Sequence, residues 1–420
     1  NAVEVLNTLL QDNNFRRLWS HQETWNAWSY NRDLQVKLWA KANGIEWIEP
    51  SRSGVIRGLK NRDGWANNWH KTMRQQIALP PAKLDAVYVE NDPIPCYQSL
   101  KLDSTQSKSS QPASRKAALS CLESFLNQRG RNYSYEMSSP ITAERACSRI
   151  SAYLAFGQIS IREVFQAIEK RMKDIDHSDK IFSKSLKSFS SRLRWHCHFI
   201  QKLEMQPNLE FTNMVRAYDD IRTTFDSNLF KKWATGTTGF PMIDACMRSL
   251  KVNGWINFRM RAMLVSFASY NLWIDWRITS KYLSNYFIDY EPGIHYNQFQ
   301  MQSGVTGINA IRIYNPLKQQ LDHDPKAHFI RKWLPELENI PLEYIQYPHL
   351  LSEKMQKKTG CIIGKTYPEP VVDLKVSSLK AKKILYGIRD SSQAKSQSKA
   401  AYLMHGSRRK SRNINLFSQT

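Results

Sequence analysis

The chain has 420 residues and a mass of 49.0 kDa, enough for two domains and a sizeable core, so it needs no disulfide staple to stay folded. Its formal net charge is +23 and its pI is about 9.7. A surplus that large repels itself unless a polyanion or counterions offset it, which makes nucleic acid the first candidate partner. A basic tail on an ordinary enzyme is the plainer alternative, since beyond Lys375 the only acidic residue is Asp390; yet basic residues also run through the body.

No run of about 18 apolar residues is present, so no membrane span is expected. No secretory leader is visible, and the first residue is Asn1 rather than Met, so the expectation is a chain that starts inside its first domain. The six cysteines (Cys96, Cys121, Cys147, Cys197, Cys246, Cys361) form no CxxC pair. That pattern points to an intracellular, reducing compartment and away from zinc ribbons or iron–sulfur clusters. In His196-Cys197-His198 the side chains diverge on a helix, so no metal site is expected there.

In chain order, Val3, Leu6, Leu9 and Leu10 repeat at helical spacing, and Phe15 to Trp19 reads as a short strand. Leu34, Val36, Leu38 and Trp39 predict a second helix that stops at Asn43-Gly44, and Ile45 to Ile48 a second strand. Helix–strand–helix–strand is the rhythm of an open parallel sheet, here with too few strands to close a core. Residues 1–52 are therefore expected to be the C-terminal part of a truncated α/β domain. Residues 53–112 carry few periodic signals after Trp69, and Pro80-Pro81, Pro93, Pro95 and the polar run from Ser104 to Ser114 read as a linker. From about Ala117 the pattern is helical, giving an expected helical domain over 113–345 whose last helix ends near Leu337. Residues 346–420 are expected to form a basic extension, partly disordered from Ser377 on. Thirteen tryptophans are present, seven of them within the first 70 residues; for most of these, core packing is the expected role.

Three groups of residues carry chemistry. Trp233-Ala-Thr-Gly236-Thr-Thr-Gly239-Phe-Pro241 reads as a tight turn feeding a helix start, a geometry suited to phosphate contact. In Gly254-Trp255-Ile-Asn257-Phe258-Arg259-Met-Arg261 the two arginines point to different sides of a helix, so one can face phosphate while the other faces inward. A buried arginine requires a buried acid, and Asp289 and Glu291 are the candidates. Cys147-Ser148-Arg149-Ile150-Ser151 places small polar side chains at a helix start; read alone, it is equally an ordinary cap.

These segments, with Asp275-Trp276-Arg277, Arg312-Ile-Tyr314-Asn315-Pro316 and Phe329-Ile-Arg331-Lys-Trp333-Leu-Pro335-Glu336-Leu337, resemble in order and spacing the photolyase/cryptochrome family of flavoproteins, over roughly residues 1–345. The resemblance implies a mainly α fold: a large helical FAD-binding domain preceded by the remnant of an α/β Rossmann-like domain. It implies FAD held by Tyr133, Cys147, Ser148, Arg149, Ile150, Ser151, Trp255, Arg261, Asp289, Glu291 and His295, with Arg261 and Asp289 as an ion pair at the flavin ring. It matches Trp233, Trp276 and Phe299 to an electron relay, and Phe299, a ring too hard to oxidise, breaks that relay unless Tyr296, Tyr290 or Trp273 replaces it. DNA and its lesion would be met by Arg192, Trp195, His196, Phe258, Arg259 and Met301; simple packing is the plainer reading of Trp195.

This sequence departs from the family at Arg192, Phe258, Ala262 and His295, the last a position suited to tuning or proton donation. The implied activity is blue-light-driven repair of pyrimidine photoproducts by an electron from reduced flavin, on a photoproduct flipped out of DNA, by a monomer. The alternative is a photoreceptor that binds FAD and repairs nothing. An antenna pigment is left open.

Overall fold

The computed structural model describes residues 1–83, 89, 92–96, 98–102, 111–176 and 178–406. The polar run expected from Ser104 onward lies outside these residues as far as 110, as does the end of the basic extension from 407.

The N-terminal segment forms the expected α/β remnant. Helix α1 (Ala2–Asn13) is capped by the Asn1 side chain, which accepts from Val3 N at 3.2 Å. Strand β1 (Arg17–Trp19) and strand β2 (Glu46–Ile48) flank α2 (Ala27–Ala42) and pair in parallel, with Leu18 opposite Trp47. Trp39, Ala40 and Ile45 are the buried residues between α2 and this two-stranded sheet.

The rest is helical. The segment expected as a linker instead contains α3 (Trp65–Met73), whose Trp65, Trp69 and Met73, spaced by four, are all buried. They join a core with α4 (Arg115–Ser124), α5 (Tyr133–Glu136), α7 (Ser151–Ala155), α8 (Ile161–Asp174) and the first part of α9 (Lys180–Met205), while α6 (Ala143–Ala146) packs beside α5. A second, larger core gathers α10 (Ser227–Thr235), α11 (Pro241–Asn253), α12 (Phe258–Ser266), α13 (Trp276–Ser284), α14 (Pro292–Gln302) and α16 (His328–Trp333), with α15 (Pro316–His323) packed on α11. The two cores meet where α14 crosses α9. Gly293 permits that crossing: a Cβ there would lie 2.6 Å from Ile200 Cα.

The region after 345 corrects the sequence expectation. It forms α17 (Glu353–Thr359), α18 (Leu374–Arg389) and α19 (Ser392–His405). Ala381, Leu385, Ala394 and Ala401 are buried in the larger core. The segment is clasped to the Thr238-Gly239 turn. Asp244, on the first turn of α11, accepts from Thr238 N (2.7 Å), Thr238 Oγ1 (2.7 Å), Gly239 N (3.1 Å) and the Tyr367 hydroxyl (2.8 Å). Val371 N donates to Thr238 O at 3.0 Å. At Gly239, φ is +78° and an added Cβ would meet the Glu369 backbone at 2.5 Å, so only glycine fits beneath the strap. The turn expected to contact phosphate is therefore committed to protein.

Replacing Asp244 by alanine strands four buried donors, and the expected loss is at least ~3 kcal/mol of unfolding free energy, read by denaturant titration.

Candidate functional site

Helix α12 starts where Asn257 Nδ2 donates to Met137 O (3.1 Å) and Ser138 O (2.8 Å), tying it to the α5–α6 connection. One turn in, Arg261 faces inward. Its Nη1 and Nη2 donate to Asp289 Oδ1 and Oδ2 at 2.9 and 3.0 Å, and its Nε to Ile256 O at 2.7 Å. The Asp289 side chain is 6% exposed. Burial alone pushes this carboxyl up, but Arg261 and the Ser151 hydroxyl outweigh it and hold the group below its ordinary value.

Three further groups surround the pair. Glu291 is buried and neither carboxylate oxygen has a hydrogen-bond partner; burial pushes it to about 7, with Arg52 pulling down and Asp289 pushing up. His196 is half-buried with Nδ1 unpartnered, lowered to about 4 by burial and by Arg52. Expected at the lesion face, His196 instead shares the charges of Arg52 and Asp289. His295 is buried, its Nε2 2.9 Å from Ser280 O, and burial lowers it to about 4. A carbonyl only accepts, so Nε2 carries the proton of a neutral ring. That hydrogen bond commits the proton to Ser280, so proton donation by His295 has no support here.

The Cys147–Ser151 segment reaches this cluster. Ser151 opens a helix of only five residues and turns its hydroxyl to Asp289. The loop before it is held by Arg129, which donates to Arg145 O (3.0 Å), Ser148 O (2.5 Å) and Cys147 O. The Cys121 thiol also donates to Ser148 O, at 3.1 Å. Arg149 adopts the left-handed region (φ 61°), where Gln111 Nε2 meets its carbonyl at 2.6 Å. Its guanidinium lies 3.9 Å over the Trp255 ring. Both line a cleft of about 170 Å³ together with Glu144, His328 and Lys332. Ile150 is buried, and burial pushes the Cys147 thiol to about 12. Tyr133 is buried with its hydroxyl against Arg192, and burial raises it to about 12.

The relay residues separate into two groups. Trp276 donates to Asn213 Oδ1 at 2.7 Å and stands 6.3 Å from the Tyr296 ring; Phe299 lies 4.4 Å from His295, which contacts Tyr296 at 5.6 Å. Trp233 is fully buried elsewhere, its ring partners being Phe230 and Tyr282, each at 6.0 Å. The Tyr290 hydroxyl donates to Tyr296 at 3.2 Å, and Tyr296 to Glu210 Oε1 at 3.4 Å.

On the outer surface, Trp195 is 46% and Phe258 50% exposed. Arg192 lies 4.3 Å over the Trp195 ring. Arg259 is half-buried near His323 with its Nε unpartnered, and Met301 is half-buried two residues beyond Phe299. Sequence reading missed Arg52, Arg129, Gln111 and Glu210, each of which acts on partners more than 15 positions away in the chain. Among the described residues no group of three or more His, Cys, Asp or Glu could hold a metal, and no helix is long and apolar enough to cross a membrane.

Residues 189–386 match the family model for the FAD-binding domain of DNA photolyase. The chain is 30% identical over 258 residues to the deoxyribodipyrimidine photo-lyase of Alkalihalophilus pseudofirmus, covering 61% of this chain and 52% of that protein. It is 31% identical over 265 residues to cryptochrome DASH of Gloeobacter violaceus, covering 61% and 51%. The chain thus spans about half the length of the curated relatives it matches. A class III photolyase from Agrobacterium tumefaciens shares the fold with a TM-score of 0.80 at 24% identity, over 93% of this chain and 83% of that one. The cryptochrome of Synechocystis superposes with a TM-score of 0.79 at 22% identity, over 91% and 82%.

The residues present fit a flavin: buried, unpartnered oxygens of Glu291 and Nδ1 of His196 beside a satisfied Arg–Asp pair leave polar atoms for a cofactor to meet. Arg261→Met is expected to abolish flavin absorbance in the purified protein and to cost roughly 3–5 kcal/mol of stability, because Asp289 is left buried and unpaired. In the flavin-free protein, Glu291 titrates at about 7 when folded against an ordinary 4.5. A raised folded value stabilises fully below 4.5 and is lost as pH rises through 7. Thermal unfolding of the apoprotein should weaken over that window, and Glu291→Gln should flatten the decline.

Proposed function

We propose that this relative of the photolyases and cryptochromes uses its FAD-binding domain for blue-light-driven repair of pyrimidine photoproducts in DNA. The observation that carries this reading is the continuity of the buried site with an exposed aromatic and cationic face. Helix α9 presents Trp195 outward beside His196 turned inward, and α12 presents Phe258 outward one turn before Arg261. Exposed aromatic rings cost hydration and suit stacking against an unstacked base.

Bound FAD supplies the light absorption and, when reduced, the electron that opens the photoproduct. The chain's own residues do the rest. Arg261 sits at the reacting end, its charge balanced by Asp289, while the neutral His295 ring packs beside them. Trp195 and Phe258 stack on the flipped base, and Arg192 and Arg259 contact the flanking phosphates. The net charge of +23 supplies a sequence-independent attraction that falls steeply with salt. Trp276, Tyr296 and Tyr290 form the ring series that would re-reduce the cofactor in place of a route through Phe299.

A second reading, a photoreceptor that repairs nothing, is favoured by departures from the family pattern: Arg192 and Phe258 at the outer face, and the buried Ala262 and His295 nearer the flavin. Some relatives carry the name cryptochrome.

The test is illumination of the reduced protein with DNA carrying either a cyclobutane dimer or a (6-4) photoproduct. Restoration of either lesion supports repair; restoration of neither, with intact flavin photoreduction, supports the photoreceptor. Trp195→Ala should weaken binding to lesion DNA by roughly tenfold, the worth of one stacking contact, while flavin content is unchanged.

A further inference from the structure

We infer that Glu210 is the proton acceptor for Tyr296, and that Tyr296 gives up an electron to an oxidised Trp276 ring as its proton passes to that carboxylate. The inference rests on the ring series proposed above and names the group that completes it. Glu210 ends the short helical turn Pro207–Glu210 that follows α9. Its Oε1 accepts from the Tyr296 hydroxyl at 3.4 Å, and its Oε2 from Ala27 N, in the first turn of α2, at 2.8 Å. A carboxylate only accepts, so the single phenolic proton of Tyr296 points at Glu210. The Tyr290 hydroxyl donates to Tyr296 at 3.2 Å, so its own proton faces a phenol and no base.

Charge decides where the oxidised site comes to rest. Trp276 is fully buried, and its indole N–H donates to Asn213 Oδ1 at 2.7 Å. An amide oxygen is too weak a base to take that proton, so an oxidised Trp276 stays a buried cation, which is costly. The Tyr296 ring lies 6.3 Å away at 66°, an edge-on aromatic contact. As the electron passes from Tyr296 to Trp276, the phenolic O–H bond breaks and an O–H bond forms on Glu210. The products are a neutral indole, a neutral tyrosyl radical and a neutral carboxylic acid, so a buried cation and a half-buried carboxylate both disappear. The oxidant of Trp276 is photoexcited, oxidised flavin.

The surroundings suit such a transfer. Burial raises the Tyr296 phenol above its ordinary value; the hydrogen bond from Tyr290 opposes this and the Glu210 charge adds to it. The proton therefore stays on oxygen until the electron leaves. Glu210 also lines a cleft of about 20 Å³ with Glu23, Glu204 and Tyr30, room for about one water molecule to carry the proton to solvent.

The experiment is illumination of the full flavin-loaded chain, flavin oxidised and DNA absent, read by transient absorbance and by EPR of frozen samples. The parent should form a tyrosyl radical, more slowly in D2O than in H2O. Tyr296→Phe should lose it and leave a tryptophanyl radical, whereas Tyr290→Phe should retain it. Glu210→Gln keeps an acceptor for Ala27 N but offers no base. It should slow tyrosyl formation by roughly a hundredfold, the low end of what a positioned base contributes, with flavin absorbance unchanged. A tyrosyl radical that survives Tyr296→Phe, or that forms at the parent's rate in Glu210→Gln, overturns the assignment. So does a parent that reduces its flavin with a tryptophanyl radical alone, an outcome that leaves the flavoprotein reading standing. A parent that purifies without flavin overturns both.

Discussion

The removal of one carboxylate and one guanidinium from water together is the constraint on which the rest of this structure depends. Desolvating two charges is costly, and mutual attraction repays it only when the geometry is close to ideal and the remaining lone pairs and protons are satisfied. Arg261 and Asp289 meet that condition through paired contacts, the Ile256 carbonyl and the Ser151 hydroxyl. Meeting it requires three separate stretches of chain to be held in register. Asn257 anchors the start of α12 to the α5–α6 connection, and Ile288 N reaches Gly254 O at 3.0 Å to fix the turn that carries Asp289. Arg129 fixes the loop that leads to Ser151. Much of the helical architecture around the site serves to keep two side chains about 3 Å apart.

Helix α9 is the second organising element, because its 26 residues serve both cores and the surface. Leu193, Cys197 and Ile200 are buried, Trp195 stands out in solvent, and His196 turns to the Asp289 charge. Consecutive side chains on a helix are about 100° apart, so a single helix can wall a cofactor site and line a docking face at once. The crossing with α14 at Gly293 brings His295 and Phe299 against this wall. Any ligand held by α9 and α14 is therefore close to the surface without being open to it.

The parts of the fold that were legible in the sequence depend on local signals. Asn43-Gly44 stops α2 where the pattern says it should, and the two short strands pair in parallel as helix–strand alternation implies. An inward arginine demands an acid, which makes Asp289 and Glu291 the candidates, and the resemblance in motif order singles out Arg261 with Asp289. The illegible parts depend on tertiary partners. Helix α3 hid in a stretch read as linker although Trp65, Trp69 and Met73 are spaced by four, since nothing local says what they pack against. Helices α18 and α19 bury mostly alanine and single leucines, too small a stripe to stand out among lysines and serines. Trp233 matched a relay position by motif order, yet ring-to-ring adjacency is set by packing, and its neighbours are Phe230 and Tyr282. Arg52 acts on Glu291 across more than two hundred residues, a distance no periodicity spans.

The clasp between Asp244 and Tyr367 has a bearing on how the protein comes to be made. The larger core takes side chains from Leu203 through Ala401, and the strap from Tyr367 to Val371 seals a turn laid down far earlier in the chain. A ribosome delivering this chain would release α10 to α16 with the faces meant for α18 and α19 still bare and Asp244 short of one donor. The first core, closed by Ile200, can settle during synthesis, but the second must wait until almost the last helix has emerged. During that interval, apolar surface destined for burial is open to other chains.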